Sequence, residues 1–155
     1  MTARRAWARV ALLIAAVLVL DQATKALVRS GLDLGERREV FPFLDLVFVH
    51  NDGIAFGFLG GGQALVVVAV GAALIGLIVY FALHTDRPWL WLPTGLLLGG
   101  ALGNVLDRVR LGAVTDFVKV PHWPAFNVAD MAITFGVLAL VYVLEGRRNK
   151  GSDAA

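Results

Sequence analysis

Long stretches without a single charge decide what this chain can become. The hydrocarbon core of a bilayer, about 30 Å thick, is crossed by roughly 20 apolar residues in helical form. Four segments approach that length: 7–28, 64–83, 88–106 and 128–144. The expected fold is therefore a mainly α membrane protein, a four-transmembrane-helix bundle with a small extracytoplasmic β element. It is read as a single integral membrane domain over 1–155, ending in a short polar tail at 146–155. Composition agrees, since only 17% of residues are charged where a soluble domain carries about 25%.

The exceptions to this apolar character are informative. Asp21 and Lys25 lie at the far end of the first span, and Asp130 opens the fourth. The third span carries Gly95, Gly99 and Gly103 on one helical face. Such a stripe of small residues lets a second helix approach closely where lipid removes the hydrophobic drive for association.

An even number of spans places both termini on one side. Arg4, Arg5, Arg9, Arg87, Arg147, Arg148 and Lys150 cluster in the tails and the short second loop, which reads as the cytoplasmic face. The segments 29–63 and 107–126 then lie outside the cytoplasm. A cleaved signal peptide is disfavoured for the first span, because Asp21, Gln22 and Lys25 stand where small residues would be needed. The net charge of +2 is too small and too scattered for a nucleic-acid partner. With no cysteine, disulfides, thiolate nucleophiles and cysteine metal sites are all excluded.

In the first outer segment "REVFPFLDLVFVHN" partly alternates and is followed by turn residues. It reads as a short β element on the membrane surface. "AVTDFVKV" alternates as well, with Val114, Asp116, Val118 and Val120 on one face and Thr115, Phe117 and Lys119 on the other. Trp89, Trp91 and Trp123 are expected as interfacial anchors.

Chemistry narrows by elimination. Ser30 is five residues from Lys25, a spacing that puts them on different helix faces and argues against a Ser-Lys hydrolase. His50, His84 and His122 form no helical ligand pair, so a metal held by His50, His122 and the aspartates is a minor alternative. Two carboxylates remain. If Asp116 ends a surface strand and Asp130 starts the fourth helix, the turn "PHWPAFN" can bring them together at the membrane boundary. Carboxyls in contact share one proton, which supplies an acid and a base in one site. Such a pair can direct water onto an amide without cofactor or metal. Position alone leaves blander roles open. Asp130 could serve the start of its helix beside Asn127, Asp116 could pair with Arg108, Arg110 or Lys119, Arg108 could bridge to Asp107, and Asp21 could simply pair with Lys25.

Four stretches taken together resemble the bacterial lipoprotein signal peptidases, or signal peptidase II: "DQATKALV" at 21–28, "NDGIAFG" at 51–57, "GGALGNVLDRVRLGAVTDFV" at 99–118 and "FNVADMAI" at 126–133. The resemblance implies that Asp116 and Asp130 are the catalytic aspartates. It implies that Asn51, Asn104, Arg108 and Asn127 hold substrate backbone or orient the pair, with Asp21 and Lys25 supporting from the first helix. Gly53, Ala55 and Phe56 fall in the implied cap. The implied substrate is a diacylglyceryl-modified prolipoprotein, cut just before the lipidated cysteine by a multi-pass enzyme of the bacterial inner membrane whose site is near the extracytoplasmic face. Membrane lipid is the other expected partner, and a monomer is expected. Ile54 and Thr115 depart from the family's common pattern, and neither is expected to touch a catalytic group. The competing reading is a small transporter or proton-relay subunit using Asp21 and Asp130; a scaffold assembling through the glycine stripe is a third.

Overall fold

A computed structural model describes residues 2–53 and 63–145. Ile54, Ala55, Phe56 and the tail at 146–155 lie outside the described residues. Among the described residues, four long helices and three strands follow in the order α1 (Ala3–Gly31), β1 (Arg37–Phe41), β2 (Leu44–Asn51), α2 (Gln63–Leu83), α3 (Trp91–Leu111), β3 (Val114–Lys119) and α4 (Val128–Glu145). Among the described residues, α1 and α4 are long and apolar enough to cross a membrane, and Val67–Leu83 forms a shorter apolar run within α2. Their large apolar side chains face outward: Leu12, Val19 and Leu27 on α1, Val67 and Ile75 on α2, Phe135 and Leu138 on α4. An exposed stripe of this kind needs a lipid solvent.

Helix α3 sits centrally, and its glycines explain why. A Cβ at Gly95 would meet Leu13, one at Gly99 would meet Val17, and one at Gly103 would come 2.7 Å from the Asp21 carboxylate. These partners also recur every fourth residue, so α1 and α3 run parallel and the side chains of α1 seat directly on the glycines of α3. The expected glycine stripe therefore packs within the chain. On the other side of α3, a Cβ at Gly100 would stand 2.5 Å from the Ala129 carbonyl oxygen. That oxygen belongs to the first turn of α4 and cannot retreat alone. Gly100→Ala is expected to lower the melting temperature in detergent through a cost of about 1–3 kcal/mol. Gly76→Ala, with open space around it on α2, should be neutral or stabilising by up to about 1 kcal/mol; equal melts for both variants would contradict the packing.

Helix α3 outruns the apolar segment that predicted it. It continues to Leu111 and ends at Gly112, whose φ of 78° and N–H bond to the Arg108 carbonyl make a left-handed cap. The added turn carries Asp107 inward, where it is buried.

The strands form one antiparallel sheet in the order β1-β2-β3. Phe48 and Phe117 clamp it onto the end of α1 with Val28 and Leu32, each phenylalanine contributing about 1.5–3 kcal/mol by burial. Two sequence expectations are corrected here. Asp116 does not end a strand, since it is the third residue of β3 and pairs with Val49. Nor is β3 half-buried, because Val114 to Phe117 are all buried, between β2 on one side and the helix ends on the other. At the opposite end of the bundle Ala6, Val10, Phe81 and Leu90 form a second core, with Trp91 packed against it. Trp89 and Trp123 are exposed as interfacial anchors require, but Trp91 is half-buried.

Candidate active site

The segment after β3 returns on itself. The Phe126 carbonyl accepts from the N–H groups of Phe117 and Val118, and the Phe126 N–H donates to the Val118 carbonyl at 3.0 Å. This places the next residue, Asn127, beside Asp116. Asn127 also caps α4: its Oδ1 accepts from the Asp130 N–H at 2.9 Å, while Asp130 Oδ2 accepts from the Asn127 N–H at 3.2 Å. This reciprocal pair satisfies two donors that helix geometry leaves open. The helix-start role considered for Asp130 is thus real, and from that position its charge acts on Asp116.

The orientation of three amides defines the site. Asn127 has its oxygen occupied by the Asp130 N–H, so its Nδ2 turns to Asp116 Oδ1 at 2.7 Å. Asn51 accepts from the Gly53 N–H at 2.9 Å, so its Nδ2 donates to Asp116 Oδ2 at 2.9 Å. The left-handed φ of 78° at Gly53 permits that turn. Asn104 accepts from Lys25 Nζ at 3.2 Å and from Asn127 Nδ2, so its own Nδ2 donates to Asp130 Oδ1 at 2.8 Å. Each carboxylate oxygen of the pair therefore receives one N–H and keeps a lone pair free. Donors of this kind complement anions and oppose a cation.

Beneath the pair lies a buried ionic cluster. Lys25 Nζ reaches Asp21 Oδ2 at 2.8 Å, Asp107 Oδ2 at 3.0 Å and Asn104, which uses all three ammonium protons. Two carboxylates against one ammonium leave a negative excess. It is met by the Ala129 N–H on Asp21, the Thr115 N–H on Asp107, both at 2.9 Å, and Gln22 Nε2 on both carboxylates. Among the described residues, no fully buried side-chain polar atom lacks a partner. Asp21 thus does more than pair along its own helix, because it also binds the first turn of α4.

Burial raises the Asp116 carboxyl to about 6; the Asn51 amide opposes the rise, the charge on Asp130 adds to it, and Asn127 opposes it. Asp116 is buried at 1% exposure, whereas Asp130 is only partly buried.

Several expectations need correction. Asp116 takes no ion pair from Arg108, Arg110 or Lys119; its partners are the two asparagines. Asp107 is committed to Lys25 and Gln22, so no bridge to Arg108 forms. Arg108 points outward, and its side chain makes no hydrogen bond with the described residues. Thr115 bonds neither aspartate of the pair, yet it is fully buried and braces their surroundings: its N–H binds Asp107, its carbonyl accepts from Asn127, and its hydroxyl accepts from Arg29 at 3.1 Å. Asp107, Gln22 and Thr115 were missed as functional residues. A signal existed for Asp107, which is four residues beyond Gly103 and so continues the stripe that meets Leu13, Val17 and Asp21.

The family model described as Signal peptidase (SPase) II matches residues 13–145. The chain belongs to the signal peptidase II family. A lipoprotein signal peptidase of Moorella thermoacetica is 47% identical over 130 residues, covering 83% of this chain and 87% of that protein. One from Acinetobacter baumannii is 41% identical over 149 residues, with coverage of 88% and 85%. Two solved structures share the fold, each described as a bacterial membrane enzyme determined by the in meso method. The one at 1.9 Å resolution has a TM-score of 0.75 at 33% identity and covers 87% of this chain and 91% of its own. The one at 2.3 Å has a TM-score of 0.77 at 32% identity, covering 91% and 90%. As a member of the signal peptidase II family the chain is a peptidase of the membrane.

Proposed function

We propose that this chain is an aspartic endopeptidase that removes signal peptides from diacylglyceryl-modified prolipoproteins, cutting before the lipidated cysteine. Asp116 and Asp130 are its catalytic residues. One observation carries the reading: a single residue, Asn127, donates to both carboxylates while its own oxygen is held by α4. Two acids bound by the same neutral residue, with no cation between them, hold one proton most cheaply. Burial makes Asp116 the proton carrier. Asp130, at a helix N-terminus that favours negative charge, is the base. It takes a proton from water as the oxygen attacks the scissile carbonyl, and Asp116 gives its proton to the carbonyl oxygen; the tetrahedral adduct then collapses with proton transfer to the leaving amine. No covalent enzyme intermediate forms.

The family relationship and the four long helices support a four-span bundle in the bacterial inner membrane, with both termini cytoplasmic and the pair near the outer boundary. Cleavage there leaves the acyl chains of the substrate in lipid. The relay alternative is weakened by Asp21, whose oxygens are taken by Lys25, Gln22 and the Ala129 N–H. The test is incubation of purified protein with diacylated and unmodified precursor. Cleavage confined to the diacylated form is expected, and equal cleavage of both would remove lipid recognition from the proposal.

A pH dependence follows from the same assignment. Activity needs Asp116 protonated, so it declines as pH rises past about 6. Asn51 favours the ionised form of Asp116. Asn51→Ala is therefore expected to move the alkaline limb of the kcat profile upward. An alkaline limb that does not move would remove Asp116 from the role of acid.

A further inference from the structure

The end of the bundle opposite the aspartates holds an unassigned site. A groove of ≈ 530 Å³ runs along α1 beside Leu12, Leu13 and Ala16, bounded by Arg9, Trp89 and Trp91. It joins a smaller pocket of ≈ 220 Å³ that adds Asp86 and Pro88 to the same arginine and tryptophans. The guanidinium of Arg9 lies 5.5 Å from the Trp91 ring centre, and Trp89 stacks on Trp91 at 6.3 Å. Trp89 reaches that position with φ of 66°, a conformation rare for a bulky side chain and one that marks a constrained site. Arg9 and Asp86 face the same pocket, yet neither forms an ion pair with a described residue. Along α1, Arg9 stands sixteen residues before Lys25, or about 24 Å away, so the groove is remote from the aspartates.

We propose that this groove binds one zwitterionic aminophospholipid of the leaflet nearest the N-terminus, with its phosphate on Arg9, its primary ammonium on Asp86 and an acyl chain along Leu12, Leu13 and Ala16. The charge pattern selects the headgroup. An arginine fork complements phosphate, and a carboxylate a short way off complements an ammonium while repelling a second negative charge. Tryptophan rings are favoured beside lipid headgroups, and Leu12, Leu13 and Ala16 continue the groove as an apolar wall. An anionic lipid would satisfy Arg9 only against Asp86.

Native mass spectrometry of the full chain released from nanodiscs containing equal phosphatidylethanolamine and phosphatidylglycerol reads the site directly. The wild type is expected to retain one phosphatidylethanolamine in preference. Arg9→Gln should lower that retention about fivefold, the worth of one basic contact at a lipid surface. Asp86→Asn should leave lipid bound but abolish the preference over phosphatidylglycerol. Both side chains are exposed, and unchanged melting temperatures would separate lost binding from lost folding. Equal retention of the two lipids by the wild type, a preference for phosphatidylglycerol, or variants indistinguishable from it would overturn the proposal.

Discussion

Asp116→Asn and Asp130→Asn are each expected to give a folded, membrane-inserted protein whose cleavage of a diacylated precursor falls by about 10³-fold or more, the scale on which a positioned acid or base works. Asparagine keeps the shape of aspartate and can still accept a hydrogen bond, but it neither takes a proton from water nor yields one to a carbonyl. At Asp116 the new amide would confront the donors of Asn51 and Asn127, and at Asp130 those of Asn104 and the Asn127 backbone. Some stability is lost in each case, and a thermal melt separates that loss from lost chemistry. The double variant should be scarcely slower than either single one, because the two acids act as a unit. Substantial turnover in either single variant would dismiss the paired mechanism.

Lys25→Met should have the largest effect on stability. It removes the ammonium that holds Asp21 and Asp107, leaving two carboxylates without counter-charge inside the bundle. Breaking a buried pair in this way costs about 3–5 kcal/mol. The loss also reaches the active site, because Lys25 keeps the Asn104 oxygen turned away from Asp130. A released amide can rotate and present its oxygen to the carboxylate. The triple variant Lys25→Met, Asp21→Asn, Asp107→Asn is expected to recover much of the melting temperature, since neutral amides need no counter-charge and can still accept from Ala129 and Thr115. Its activity should stay low, because the Asn104 oxygen then keeps only the Asn127 amide and loses the ammonium that fixes it. Recovery of neither stability nor folding would mean that the cluster serves chiefly to shape the core. Recovery of activity as well would show that Asn104 needs no orientation.

The four helices were legible because long uncharged runs admit few other folds. Their ends were less so. Helix α3 continues through Asp107, Arg108 and Arg110 to Gly112, since a helix stops at a capping geometry and not where its apolar composition stops. The hairpin and β3 were visible in alternation, but the burial of both faces of β3 was not. Alternation reports one solvated face, and here the helix ends cover the second. The aspartates, the three asparagines, Asp21 and Lys25 were found through motifs at specific spacing. Thr115 was noted only as a departure from the family's common pattern, whereas much of its contribution comes from backbone N–H and carbonyl groups that any residue carries.

By itself the sequence determined the solvent of this protein, the helical segments, the glycine stripe along which two helices meet and the acids available for chemistry. Those depend on composition and on spacing along one element, which the order of residues states directly. Only the tertiary structure decided that Asp107 belongs to Lys25, that Asn127 serves both aspartates, that three amides are each turned by what binds their oxygens, and that Asp116 carries the raised carboxyl. Hydrogen bonds have direction and burial has a magnitude, and both arise only when separate elements are brought together in space.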